Sequence, residues 1–232
     1  MIEAYLMHEK ERNAQGIPAL PLNPEQTTSL CELLQSPPAG KEEFLMSLFT
    51  ERVSPGVDPA AEVKAGFLAD ILTGTKKSPL IDKKQAVQIL GTMIGGYNVQ
   101  PLISALSDAS LADDAASALS GLTYLYDAAA QVLELAKSNT AARKVAESWA
   151  NAEWFTNMPE MPETITVKVF KVEGEINTDD FSPAGDAWSR PDIPLHALAM
   201  GKTRFPGGIE DIAKSRLEGH QVAFVGDVVG TG

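Results

Sequence analysis

Residues 177–196 read NTDDFSPAGDAWSRPDIPLH. This polar stretch contains four acidic residues, three prolines and a single arginine, and it has neither a helical nor an alternating strand period. Irregular stretches of this length inside a domain are usually functional or disordered. The hydrophobic residues Phe181, Trp188, Ile193 and Leu195 argue against disorder. We therefore expect an ordered loop whose polar side chains bind a ligand.

The segments around this loop predict an α/β unit. Residues 164–172, TITVKVFKV, alternate and are rich in β-branched side chains, which predicts a strand with Val167 and Val169 on one face. Residues 208–218 have a helical period, and residues 221–229 have the apolar character of a buried strand. The order of strand, loop, helix and strand is the beginning of an α/β domain.

The first 157 residues predict a succession of short helices. Asn23, Asp58 and Asp82 have the side chains preferred at helix N-caps, and proline follows the first two of them. Short helices joined by Pro/Gly turns at intervals of a few dozen residues are typical of an α-solenoid. The predicted helices cover residues 24–36, where Pro37 and Pro38 end the first, and residues 42–52, 59–73, 82–93, 101–106, 112–125, 127–137 and 141–155.

A linker separates the two parts of the chain. Residues 158–163, MPEMPE, have no helical period, and their two prolines favour an extended backbone. The sequence therefore predicts a helical domain over residues 1–157 and an α/β region over residues 164–232.

Composition restricts the class of protein. The 232 residues are 44% hydrophobic and 22% charged, as in globular proteins. A formal net charge of −12 disfavours nonspecific binding to nucleic acid or anionic membranes. One cysteine cannot form an internal disulfide, which fits a cytoplasmic protein. No run approaches the ~18 apolar residues that a membrane-spanning helix needs.

Six segments resemble one enzyme family, the aconitase B family of bacterial aconitate hydratases. The segments are SPPAG at 36–40, VKAGFLA at 63–69, ILGTMIGGYN at 89–98, WANAEWF at 149–155, the loop with its continuation HALAM, and VAFVGDVVGTG at 222–232. The resemblance implies a HEAT-like α-solenoid followed by the incomplete start of the family's swivelling α/β domain. It also implies that the chain is the N-terminal piece of a longer enzyme.

The resemblance implies an activity, a cofactor and partners. Enzymes of this family interconvert citrate and isocitrate through cis-aconitate in the tricarboxylic acid cycle, and the choice between citrate and 2-methylisocitrate stays open. They hold a 4Fe–4S cluster, which Cys31 alone cannot bind, so we expect this chain to be inactive by itself. A homodimer formed through the helical domain is expected, and RNA is a partner that only the resemblance suggests. The alternative is a non-catalytic helical interaction module.

Arg190 is the main candidate binding residue. A guanidinium group binds a carboxylate through two charge-assisted hydrogen bonds. Spacing alone favours a salt bridge between Arg190 and Asp186 or Asp192, whereas the resemblance assigns the arginine to substrate binding. For Asp179, a turn or helix cap is the simpler interpretation. The resemblance instead places Asp179 at the active site, where it helps to orient catalytic groups.

Other conspicuous residues have simpler interpretations. Cys31 lies among leucines and is expected to be a small buried hydrophobic residue. His8, His196 and His220 lack metal-ligand spacing. His196 is expected to pack or to cap a helix, and Ser182, which precedes a proline, is expected to be structural.

Overall fold

The structure is a computed structural model that describes most of the chain. The chain folds into two compact units, one made of Met1 and Pro21–Pro159 and the other of Ile2–Leu20 and Glu160–Gly232. The sequence-based division at residues 158–163 stays a prediction. The described residues are 1–15, 19–122, 128–158, 160–187, 196–197, 199–205, 207 and 209–231.

The described part of the first unit is helical. No helix in the described ranges is both long and apolar enough to cross a membrane. The N-terminal helix α1 (Ile2–Ala14) falls in the second unit. The helices of the first unit are α2 (Pro24–Gln35), α3 (Glu42–Glu51), α4 (Pro59–Thr73), α5 (Lys83–Gly91), α6 (Val99–Ala105), α7 (Ala112–Ser120), α8 (Ala129–Leu135), α9 (Thr140–Ala150) and α10 (Glu153–Thr156).

Side-chain caps explain where several of these helices begin. The Asn23 side chain accepts a hydrogen bond from the Gln26 amide at 2.8 Å, and the Gln26 side chain accepts one from the Asn23 amide. Asp82 forms the same reciprocal pair with Gln85. These bonds satisfy amide groups that have no partner inside the helix. The helix starts predicted at Asn23, Asp58 and Asp82 are confirmed.

The ends of two predicted helices differ from expectation. The continuous helix expected over residues 141–155 is wrong, because Ala152 has a left-handed backbone (φ 49°) that separates α9 from α10. The helix expected over residues 112–125 ends at Ser120 in the structure. Residues 123–127 lie outside the described residues.

The core of the first unit is formed by helices that are close in the chain. Helix α2 packs on α3 and α4, α5 packs on α4 and α7, and α9 packs on α7 and α8. Phe49 and Phe67 meet edge to face with their ring centroids 5.8 Å apart. Buried Lys64 places its ammonium group 5.1 Å from the Phe49 ring centroid. Cys31 is buried in this core, as predicted.

The second unit contains two small parallel sheets. Strand β1 pairs with β3, where Val167 is opposite Gln221, and β2 pairs with β4, where Glu175 is opposite Val228. The unit is therefore α/β, as predicted. Its further elements are β1 (Val167–Lys171), β2 (Glu175–Asn177), α11 (Thr178–Phe181), α12 (Ala184–Ala187), α13 (Ile209–Leu217), β3 (Gln221–Val225) and β4 (Val228–Thr231).

One strand prediction is wrong. The single buried strand expected over residues 221–229 is divided at Gly226, and Val228 is 52% exposed. A Cβ atom on Gly226 would lie 2.8 Å from the Ile176 side chain, so a larger residue there would force the buried Ile176 to move. The strand predicted within residues 164–172 is present as β1, and Val169 on it is 54% exposed.

The glycine-rich segment between α5 and α6 forms a tight turn. The Ile94 amide donates to the Pro55 carbonyl at 2.8 Å, and a Cβ atom on Gly95 would collide with the Gly56 carbonyl. Asn98 is 1% exposed. Its side-chain amide donates to the carbonyls of Leu90 and Met93, each at 2.8 Å. Asn98 thus holds the turn against the end of α5.

We predict that Asn98→Ala destabilises the helical unit. The substitution leaves two carbonyl oxygens of a buried turn without their side-chain donor, which costs about 1–3 kcal/mol in free energy of unfolding. Urea denaturation followed by helical circular dichroism measures this cost. Asn151→Ala is the matched control, because Asn151 is exposed at the end of α9 and should change little. Equal effects of the two substitutions would contradict the role of Asn98.

Candidate functional site

Several of the residues selected from the sequence, namely Asp179, Ser182, Asp186 and His196, lie on the two segments that precede and follow residues 188–195. We call residues 177–187, which contain α11 and α12, the first limb, and residues 196–205 the second limb. Arg190, the principal candidate, lies outside the described residues, as do Asp192 and Trp188. The structure describes most of the two limbs, and side chains connect them.

Helix α11 in the first limb is formed by a reciprocal cap. The Asn177 side chain accepts a hydrogen bond from the Asp180 amide at 3.1 Å. The Asn177 amide donates to Oδ2 of Asp180 at 3.0 Å. The stretch that was expected to be an irregular loop therefore contains a helical turn here and a second one, α12, after Pro183. An aspartate in place of the usual Glu or Gln closes this cap.

Asp180 also connects the first limb to the second. Its Oδ1 atom accepts a hydrogen bond from the Thr203 hydroxyl at 3.3 Å and lies 3.3 Å from Nε of Arg204. Its carbonyl accepts the Gly201 amide at 2.8 Å. The residue is 8% exposed. A carboxylate this buried is stable when charged donors and hydrogen bonds replace water, and here they come from both limbs.

A second buried acid repeats this connection. Asp186 on α12 is 2% exposed and forms an ion pair with Lys202 of the second limb. Asp186 was one of the two acids considered as a salt-bridge partner of Arg190. Its carboxylate has a cationic partner in Lys202.

A third connection joins Ser182 and His196. The Ser182 hydroxyl lies 2.8 Å from Nε2 of His196, within hydrogen-bonding distance. The sequence predicts no common site for these two residues. Their separation of 14 residues matches no motif, so only the folded chain shows the pair.

Asp179 is an exposed residue of α11 whose side chain contacts the first residue of α12. Its Oδ1 atom accepts a hydrogen bond from the Ala184 amide at 3.3 Å. This contact is of the turn or capping kind that the residue type favours. Its part in orienting catalytic groups stays a prediction.

A cluster of phenylalanine rings attaches both limbs to the β1–β3 sheet. The ring centroid of Phe224 on β3 lies 4.7 Å from that of Phe181 in the first limb and 5.5 Å from that of Phe205 in the second. Phe170 on β1 lies 5.6 Å from the same ring. Such aromatic pairs contribute about 0.5–1.5 kcal/mol each beyond their buried area. The sequence does not predict this cluster, because its members come from separate segments that share no period.

The polar side chains of the limbs are in contact with one another. Within the described ranges, no three His, Cys, Asp or Glu side chains are grouped so as to hold a metal ion. The buried acids Asp180 and Asp186 are instead used to connect the limbs.

Two family models match the chain, and both describe the N-terminus of an aconitase. The model for the aconitate B N-terminal domain matches residues 4–155. The model for the aconitate hydratase 2 N-terminus matches residues 167–232. The two matches correspond to the helical and the α/β parts of the sequence.

Alignments with three curated relatives identify the family of this chain. The chain is 55% identical to aconitate hydratase B of Pseudomonas aeruginosa, 55% identical to that of a Synechocystis species and 54% identical to that of Escherichia coli. Each alignment covers 100% of this chain but only 27–28% of the relative. The chain belongs to the aconitate hydratase B family, and it spans little more than a quarter of the length of these relatives.

The residues of this chain do not fit the 4Fe–4S cluster that the resemblance implies. Such clusters are held by several cysteine thiolates. Cys31 is the one cysteine in the sequence and is 5% exposed in the helical core. Burial raises the pKa of its thiol to about 12, so the protonated form predominates at neutral pH. Cys31 is therefore a core residue rather than a cluster ligand.

We predict that Lys202→Met destabilises the second unit. The change leaves the buried Asp186 carboxylate without its cation, which costs about 1–3 kcal/mol. Hydrogen exchange of peptides from residues 177–187 under mild denaturant measures the loss. Asp186→Asn in the Lys202→Met background should recover part of it, because the buried charge is removed.

Lys171→Met is the matched control for this prediction. Its ion pair with Glu173 lies at 2.9 Å with both side chains mostly exposed, and exposed pairs contribute little. If the Lys202 and Lys171 variants exchanged at the same rate, the connecting role of Asp186 and Lys202 would be wrong.

Proposed function

We propose that this chain is the N-terminal portion of an aconitate hydratase that interconverts citrate and isocitrate through cis-aconitate. The observation that carries the proposal is the identity of 54–55% with three aconitate hydratase B relatives over the whole chain. The reaction removes and re-adds water at a tricarboxylate. Whether 2-methylisocitrate is also a substrate depends on parts of the enzyme beyond these residues.

In this proposal Arg190 binds a carboxylate of the substrate. A planar guanidinium group forms two parallel hydrogen bonds with a carboxylate, and a tricarboxylate offers three such groups. Two observations support the assignment. Asp186 is paired with Lys202, and the limbs on either side of residues 188–195 are connected by side chains.

Asp179 has a supporting role in the proposal. Its exposed carboxylate contacts the first residue of α12 and is close in the chain to the limb connections of Asp180 and Ser182. It orients catalytic groups through hydrogen bonds and does not itself take part in bond making.

The helical part is proposed to be a HEAT-like solenoid that forms a homodimer. The packing of each helix on helices one to two places away in the chain supports a repeat architecture. The α/β part is the start of a swivelling domain. We place the domains at residues 1–157 and 164–232, joined by the linker at residues 158–163.

The 4Fe–4S cluster of the proposed enzyme is bound by cysteines outside these residues. When bound, the cluster supplies a Lewis-acidic iron that polarises the substrate hydroxyl. The chain by itself is then inactive and contributes substrate binding.

A cytoplasmic location is part of the proposal. RNA binding rests on the family resemblance alone, and the net charge of −12 does not favour it.

A second function, a helical interaction module, is favoured by one observation. Val57 and Ile94 are 78% and 65% exposed, and the Ile94 amide is bonded to Pro55 beside Val57. Exposed apolar side chains that lie together are common at protein interfaces. Catalytic activity of the full-length protein separates the two functions.

The proposed function predicts the effect of Arg190→Lys in the full-length holoenzyme. Lysine keeps the charge but loses the planar fork, and each charge-assisted hydrogen bond contributes about 1.5–3 kcal/mol. The catalytic efficiency with citrate should therefore fall about ten- to a hundredfold, while the melting temperature stays nearly constant. Cis-aconitate formation, followed by its ultraviolet absorbance, measures the first quantity and calorimetry the second.

The two quantities separate the possible roles of Arg190. A wild-type enzyme without activity toward citrate or isocitrate would refute the proposed function itself. An unstable variant with normal efficiency would show that Arg190 is a structural ion-pair partner. Lys41→Arg, an exposed change in the helical unit, controls for general effects of basic substitutions.

The domain proposal predicts that residues 1–157 fold alone as a helical protein. Their caps and core contacts in the first unit come from within this range. Because Ile2–Leu20 fall in the second unit, a fragment of residues 21–157 should melt at the same temperature as residues 1–157. Far-UV circular dichroism during heating measures both. An unfolded or strand-rich spectrum for residues 1–157 would refute the boundary.

A further inference from the structure

We propose that a groove between α4 and α6 binds a small amphipathic amine, a molecule with a compact apolar body and one protonated amino group. The groove has a volume of about 490 Å³, which lies within the range of about 300–1,000 Å³ that small-molecule sites occupy. We call it the α4–α6 groove, and all of its described lining residues belong to the first unit. Its lining includes the apolar residues Leu72, Ala105 and Leu111 and the polar residues Ser104, Ser107 and Asp108.

The spacing of residues on α6 brings apolar side chains and a carboxylate to one wall of the groove. Pro101, Ala105 and Asp108 follow one another at intervals of four and three residues, which places side chains on one face of a helix. Helix α6 ends at Ala105, but the Asp108 amide donates to the Ala105 carbonyl at 3.1 Å and continues the turn. The groove is open because small side chains, Ala105 on this wall and Ala69 on α4, line it.

The Asp108 carboxylate is fixed by the residues that follow it. Its Oδ1 atom accepts hydrogen bonds from the Ser110 hydroxyl at 2.6 Å and the Ser110 amide at 2.9 Å. Its backbone carbonyl accepts the Leu111 amide at 2.9 Å. The hydrogen bonds from the Ser110 hydroxyl and amide lower the pKa of the Asp108 carboxyl, so it is ionised at neutral pH. No hydrogen bond among the described residues uses its Oδ2 atom.

The charge of the groove selects the ligand. Among the described residues that line it, Asp108 carries the only charge. Lys83 lowers the pKa of Asp108 through its charge but forms no ion pair with it in the described structure. A ligand carboxylate would be repelled by Asp108, whereas an ammonium group would be attracted. The exposed hydroxyl groups of Ser104 and Ser107 can accept further N–H donors, and the apolar lining gains by excluding water.

The test titrates the isotope-labelled 232-residue chain with three probes of similar shape and follows the backbone amide signals by NMR. The probes are tryptamine, its neutral analogue indole-3-ethanol and the anion indole-3-propionate. Tryptamine should bind with a Kd of about 1 mM or tighter and shift the amide signals of Ser104 and Ser110. Indole-3-ethanol should bind about two- to fivefold more weakly, the effect of one exposed ion pair, and indole-3-propionate more weakly still.

Two substitutions separate the charge of the groove from its shape. Asp108→Asn keeps an acceptor for Ser110 and removes the charge, so the affinity for tryptamine should fall to that for indole-3-ethanol, which should itself be unchanged. Ser104→Leu fills the groove and should weaken binding of tryptamine and indole-3-ethanol about tenfold or more. Ser104 is exposed and its hydroxyl makes no hydrogen bond among the described residues, so this variant should fold normally.

The matched controls are Glu147→Gln on α9 and Gln88→Leu on α5, which change a charge and a side-chain size at exposed positions outside the groove. Both should bind tryptamine as the wild type does. Equal affinity for the three probes, no binding of tryptamine at its solubility limit, or unchanged binding of tryptamine in Asp108→Asn would overturn the amine site. Self-association of the chain that Ser104→Leu abolishes would assign the groove to a second copy of the chain and also overturn it. None of these measurements depends on the proposed catalytic function.

Discussion

The carboxylate of Asp180 is the interaction on which the α/β unit depends. One oxygen accepts the Asn177 amide and so completes the cap of α11, while the other meets Thr203 and Arg204 of the second limb. A single buried charge thereby determines a local helix and a long-range contact. Asp180 is only 8% exposed, so loss of any of these partners would leave a buried carboxylate unpaired and lower the stability of the fold.

Two kinds of contact hold the limbs around Asp180: apolar contacts with the sheet and polar contacts between the limbs. Phe181 and Phe205 attach the limbs to Phe224 of β3, and the polar connections lie between the limbs. Two-stranded sheets with exposed valines are weak supports by themselves. The aromatic and ionic contacts therefore contribute more to the stability of this unit than they would in a domain with a wide sheet.

The helical unit is stabilised differently. Four of its helices, α2, α4, α5 and α9, begin at side-chain caps, and its helices pack on their neighbours in the chain, so sequence-local signals predict these helices well. Asn98 is the exception, since its two bonds to Leu90 and Met93 make the turn after α5 part of the core. This difference explains why the helix starts at Asn23, Asp58 and Asp82 were predicted correctly, whereas strand burial in the second unit was not.

The sequence by itself determined the helix starts, the burial of Cys31 and, through its motifs, the family. These features depend on local capping and composition or on contiguous residues. Only the tertiary structure decided that residues 221–229 form two strands, because the close passage of Gly226 by Ile176 is a contact between distant segments. It likewise decided the pairing of Ser182 with His196 and of Asp186 with Lys202. Their separations follow no repeat, and these pairs exist only because the limbs fold back on one another.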